Sequence, residues 1–125
     1  MTVKGLGIVG DKSYAFALRI VKSYKYLTTQ GEYVLSKQLL RSGTAIGALC
    51  CEAQQAQSKA DFLNKMNIAL KEATETEYWI KLLKDSDYFD TAMYESLMAD
   101  CMDLVKLLIA IVKTTKLNLA KERSK

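Results

Sequence analysis

The chain has 125 residues, half of them hydrophobic and 26% charged, which suffices for one buried core but not for two. It contains no His and no Pro. The first absence excludes a His general base, a His-based triad and a His metal ligand; the second favours long unbroken helices.

Its net charge of +4 conceals a partition. Residues 1–41 carry seven Lys/Arg and two acids, residues 42–103 five Lys and eleven acids, and residues 104–125 six Lys/Arg and one acid, giving +5, −6 and +5. If the first and last helices are neighbours, the two basic segments can merge into one patch. The bland alternative is that these charges only solvate outer faces.

Cys50, Cys51 and Cys101 are an odd number without CxxC spacing, against a disulfide framework or a zinc site and in favour of reduced thiols in a helical core. The longest nearly apolar run, Leu104–Val112, is nine residues, where a membrane span needs roughly twenty. Met1 to Gly5 lacks the apolar segment of a secretory signal. A cytoplasmic protein without membrane attachment is expected.

Residues 1–11, with Gly5, Gly7 and Gly10, read as a flexible lead-in. A first helix is predicted from about Lys12 to Thr29. Phe16, Ala17, Ile20, Val21, Tyr24 and Leu27 share one face, with Arg19, Lys22 and Tyr26 opposite. Gly31 is placed to close it in a left-handed conformation.

A second helix is predicted from about Glu32 to Gln57, with Leu35, Leu39, Ser42, Ile46, Leu49, Cys50 and Ala53 as its stripe. Gly43 and Gly47 lie one turn apart beside that stripe. Each mid-helix Gly costs about 1 kcal/mol relative to Ala, so close approach by another helix is the expected compensation.

Ser58-Lys59-Ala60-Asp61 resembles a capping box that starts a third helix running to about Lys84. Its stripe is Phe62, Met66, Ala69, Ala73, Ile80 and Leu83. Ile68, Trp79 and Leu82 fall away from that stripe, as residues of an inter-subunit contact or of packing by a long loop would. Asp85-Ser86-Asp87 closes this helix, and Asp90 caps a fourth that runs to about Leu119, followed by a frayed basic tail over 120–125.

In the fourth helix Leu97, Cys101, Leu104, Leu108 and Ile111 form the core. Met98, Met102, Val105, Leu107, Ile109 and Val112 widen the apolar arc beyond what one core requires. Ile68, Trp79, Leu82, Met98, Met102 and Ile109 are therefore the expected oligomer contacts. Four helices with short turns predict an all-α, up-down-up-down four-helix bundle over residues 12–119.

Few constellations carry chemistry. Glu72, Glu75 and Glu77 cluster, but carboxylate-bundle metal sites use Glu-x-x-His, which this chain cannot supply. Cysteines inside helices lack an activating base. No catalytic, cofactor or metal residue is assigned. Folding helices 2 and 3 about Ser58 brings Arg41 level with Glu75 to Glu77, so a structural ion pair of Arg41 with Glu77 or Glu75 is expected, with phosphate contact by Arg41 as the alternative. For nucleic-acid phosphate the candidates are Arg19, Lys22, Lys25, Lys113, Lys116, Lys121 and Arg123, giving affinity without sequence specificity; no known nucleic-acid-binding motif accompanies them.

The block from Tyr33 to Ala48, with Gln38-Leu39-Leu40-Arg41-Ser42, resembles the bacterial four-helix bundle family, also called the 23S rRNA intervening-sequence proteins. So do Ser58-Lys59-Ala60-Asp61-Phe62, Met66 to Ala73 and Glu77-Tyr78-Trp79. The resemblance covers roughly residues 12–115. Arg41, Ser42, Glu52, Ser58, Phe62 and Glu77 match the family pattern, while Leu49 stands where Asn is common.

The resemblance implies a ring-shaped homopentamer. A distant relative, the accessory protein of diversity-generating retroelements, implies a nucleic-acid enzyme and nucleic acid as partners, bound through a basic surface. The combined expectation is a non-enzymatic, homo-oligomeric scaffold with weak, non-specific affinity for RNA or DNA. The alternative is a purely structural or protein-interaction bundle.

Overall fold

The computed structural model describes residues 7–124, and every regular element among them is helical. The elements are α1 (Gly7–Thr29), α2 (Leu35–Ala53), α3 (Lys59–Asp85) and α4 (Thr91–Arg123). Successive helices pack side by side and α4 returns to α1, while the diagonal pairs stand apart. This is the predicted four-helix bundle. Its α1–α4 seam is the sparsest of the four.

The helix ends follow local chemistry. Gly31 adopts φ +82, with Gly31 N–H donating to Thr28 O and Glu32 N–H to Leu27 O at 2.9 Å. That pattern is a Schellman closure, where only a residue tolerant of positive φ fits without cost. Asp87 repeats it after α3, at φ 67, with Tyr88 N–H donating to Leu83 O. Ser58 Oγ accepts from Asp61 N–H at 3.0 Å. Asp61 reaches back to Gln57 N–H, one residue ahead of the cap. Asp90 Oδ1 caps α4 by accepting from Met93 N–H at 2.8 Å.

Four boundaries depart from the periodicity. α1 begins at Gly7, five residues before Lys12, and Val9 and Gly10 are buried; residues 7–11 are helix, and 1–6 lie outside the described residues. α2 begins at Leu35 and ends at Ala53, shorter at both ends than expected. Glu32 is not its first residue but its cap: the buried carboxylate accepts from Val34 N–H at 3.1 Å and Ser36 N–H at 2.6 Å. α4 runs through Lys121 and Arg123, so the stretch read as a frayed tail carries another turn of helix.

The core follows the stripes closely. Phe16, Ile20, Leu27, Leu39, Ile46, Met66, Ile80, Leu83, Leu104 and Leu108 are fully enclosed. Gly43 and Gly47 both face α1. A Cβ on Gly43 would stand 2.7 Å from Ile20 Cγ1, and one on Gly47 would stand 3.4 Å from Ser13 O. The expected close approach is therefore that of α1. The core also encloses hydroxyls that apolar periodicity passes over. Thr76 Oγ1 lies 2.9 Å from Ser42 Oγ and donates to Glu72 O, joining α2 to α3 without an unpaired group.

Candidate interaction surfaces

The α2–α3 hairpin sets the register that places Arg41. Ser42 and Thr76 face each other, which puts Arg41 level with Glu77. Yet Glu77 lies about 200° round the helix from Glu75 and faces the α4 side, where it lines the α3–α4 groove. Arg41 instead donates from Nη1 to Glu72 Oε2 at 3.0 Å and from Nη2 to Glu75. The pairing with Glu77 is thus corrected, that with Glu75 stands, and Glu72 is the partner that was missed. The helical angle of Glu72, on the α2 side with Glu75, was the signal for it. Arg41 is 50% exposed, so this bridge is a surface device.

Trp79 Nε1 donates to the same Glu75 carboxylate at 2.9 Å. That hydrogen bond is the leading cause that holds the Glu75 carboxyl below its usual range; burial opposes it, and the Arg41 guanidinium adds to the lowering. Trp79 is accordingly packed against the core and tied to its own helix. Ile68 shares its edge of α3 and is exposed, and Leu82 is half-buried on the outer side. Met98 and Met102 belong to a different face, the α3–α4 groove, and Ile109 is exposed farther along α4. The six apolar candidates therefore do not form one patch.

Nor do the seven basic ones. Arg19 is committed to α4: Nη1 donates to Asp100 Oδ2 at 2.6 Å and to Ser96 O, and Nη2 to Ser96 Oγ at 2.9 Å. These bonds, with the looser Lys12–Asp103 pair at 3.9 Å, fix α1 antiparallel to α4. Lys22 and Lys25 then sit beside the start of α4, at the height of Glu95 and Thr91. Lys113, Lys116, Lys121 and Arg123 lie at the other end, roughly 18 to 28 residues along α4 or about 30–40 Å away at about 1.5 Å per residue. Among the described residues, Lys22 and Lys25 do not merge with the four cations at the end of α4, because α1 and α4 run in opposite directions.

The far end of α4 is the more concentrated of the two. Its four cations are exposed around an exposed Leu117. The acid among them, Glu122, is taken by Lys59 from the start of α3. The opposite end carries Asp85, Asp87 and Asp90 in the α3–α4 connection.

The thiols are sorted by depth. Burial pushes the Cys101 thiol up to about 12 and raises Cys50 as well, which leaves both protonated and weakly nucleophilic. Cys51 is exposed. Among the described residues no group of three or more His, Cys, Asp or Glu is placed to hold a metal ion, and no helix is long and apolar enough to cross a membrane.

The family model described as 23S rRNA-intervening sequence protein matches residues 8–110. A crystal structure from Bacteroides thetaiotaomicron VPI-5482 at 1.70 Å is similar over 85% of this chain and 99% of its own, with 58% sequence identity and a TM-score of 0.84. It is described as a protein of unknown function from the S23 ribosomal protein family. No curated protein matches the chain.

Proposed function

The chain belongs to the 23S rRNA-intervening sequence protein family, and on that premise we propose that it is a non-enzymatic, self-associating scaffold whose basic end holds nucleic-acid phosphates. The observation that carries the reading is the cluster of Lys113, Lys116, Lys121 and Arg123 on the last turns of α4, exposed and with the acid among them, Glu122, paired to Lys59. Such a cluster attracts any polyanion and reads no sequence. Regular helix through Arg123 fixes the spacing of these cations, so they act as a rigid strip.

Self-association supplies the rest of the affinity. Several copies each present one strip, and weak contacts add through multivalency. The ring of five implied by family resemblance is part of this proposal, supported by the exposed apolar side chains Ile68, Tyr78 and Ile109. Binding in place of catalysis is favoured by the absence of His and by the protonated, buried Cys50 and Cys101.

The test is filter binding of single-stranded RNA and duplex DNA across a range of salt. The parent is compared with a variant carrying Lys113, Lys116, Lys121 and Arg123 all changed to Gln. Weaker binding to every sequence, with a flatter salt dependence, is expected. Equal binding by both proteins at every salt concentration overturns the basic-end reading and leaves a protein-interaction bundle.

A further inference from the structure

The cations at the end of α4 flank the helix on both sides. Lys116 stands about five turns after Met98 and so shares its face, the one that lines the groove between α3 and α4. Arg123, about two turns further on, lies on the same side. Lys121 stands about five turns after Asp103, which pairs with Lys12 of α1, and so lies on the α1 side. At about 100° per residue the two flanks are about 140–160° apart. Between them Lys113, Leu117 and Ala120 form an outward ridge, and all six side chains are exposed, Leu117 by 56%. Glu122 lies about 180° from Lys113 and is paired with Lys59.

A helix with cations on both flanks fits a groove with phosphates on both walls. A single strand offers one backbone, so it engages one flank at a time. Recognition of single strands also relies on bases stacked on aromatic rings, and no aromatic residue follows Tyr94 in the sequence. A duplex supplies both backbones at a fixed separation. The major groove of B-form DNA is about 12 Å wide and admits an α-helix, whose diameter with side chains is about 10–12 Å. The major groove of A-form RNA is deep and too narrow for side chains to read. The rise from Lys113 to Arg123 is about 15 Å, just under half of a DNA turn of about 34–36 Å. One stretch of groove therefore takes the whole cluster.

We infer that the last turns of α4 seat in the major groove of B-form duplex DNA. Lys121 meets the phosphates of one backbone, Lys116 and Arg123 those of the other, and Lys113, Leu117 and Ala120 face the groove floor. The inference rests on the basic-end reading above and names its substrate class. Leu117 and Ala120 offer the base edges apolar contact without a hydrogen-bond pattern, in keeping with binding that reads no sequence.

The test compares one sequence in several forms by filter binding: a duplex DNA two helical turns long, the corresponding RNA duplex, and the single DNA strand. The parent is expected to bind the duplex DNA several-fold more tightly than either other form. A dye that fills the major groove should displace it, and one that fills the minor groove should not. Lys121→Gln, and separately Lys116→Gln with Arg123→Gln, are each expected to weaken duplex binding with helicity kept in circular dichroism. The slope of log K against log salt should flatten by about 0.9 for the first and about 1.8 for the second. Equal or tighter binding of the single strand or of the RNA duplex overturns the groove inference while the basic-end reading stands. Displacement by the minor-groove dye alone does the same. A parent that binds none of these forms removes both readings.

Discussion

Gly43 of α2 lies directly against Ile20 of α1, with three side-chain atoms of Ile20 within 2.9 Å of where a Cβ would be. Ile20 is fully enclosed and has no free direction in which to yield. Helix propensity alone predicts that Gly43→Ala stabilises by about 1 kcal/mol. Overpacking opposes it and wins, so the variant is expected to lose about 1–3 kcal/mol. Gly47→Ala meets Ser13 O at 3.4 Å and is expected to be neutral or slightly stabilising. Urea unfolding of the two variants, made side by side, checks the opposite signs.

Thr76 and Ser42 should behave as a unit. Thr76→Val leaves the Ser42 hydroxyl without its buried partner and is expected to cost about 1–3 kcal/mol. Changing both, to Val and Ala, removes the unsatisfied group and is expected to cost less than the sum of the single changes. A double-mutant cycle in urea measures the difference.

Arg41 bridges Glu72 and Glu75 while half exposed, so Arg41→Ala is expected to cost no more than about 1 kcal/mol. The same cluster makes a pH prediction. The folded Glu75 carboxyl titrates below its unfolded value, so its stabilising contribution is complete above the ordinary carboxylate range and is lost as pH falls through the lowered folded value. Trp79→Phe removes the leading cause, the indole hydrogen bond, and is expected to raise the Glu75 titration point in an NMR titration. An unmoved Glu75 would assign the effect to Arg41.

Thiol reactivity should divide the cysteines. Cys51 is exposed, whereas Cys50 and Cys101 are buried and raised. One thiol per chain is expected to react quickly with a thiol reagent at mildly alkaline pH. The other two should follow only as the protein unfolds, and mass spectrometry after a short pulse locates the first.

The stripes, caps and glycines of this chain were legible in its residues because each is a local or periodic effect. A core position recurs every three or four residues, Ser58 and Asp90 accept from backbone N–H groups within their own first turn, and Gly31 closes a helix by its own freedom of φ. Leu39, Ile46, Met66 and Leu104 were therefore readable as core. What depended on two helices at once was not. Glu77 stood level with Arg41 along the hairpin but pointed to the wrong side, and only the rotation of α3 about its axis gave the pair to Glu72 and Glu75. Arg19 sat among free lysines in the sequence and was taken by Asp100 across a seam. Lys22 and Lys25 were sent to the end opposite Lys113, Lys116, Lys121 and Arg123 because antiparallel packing of α1 on α4 places the late residues of one beside the early residues of the other. Composition and periodicity determined the bundle and its interior; helix rotation and relative direction, which are tertiary quantities, decided which charges are spent on the fold and which remain on the surface.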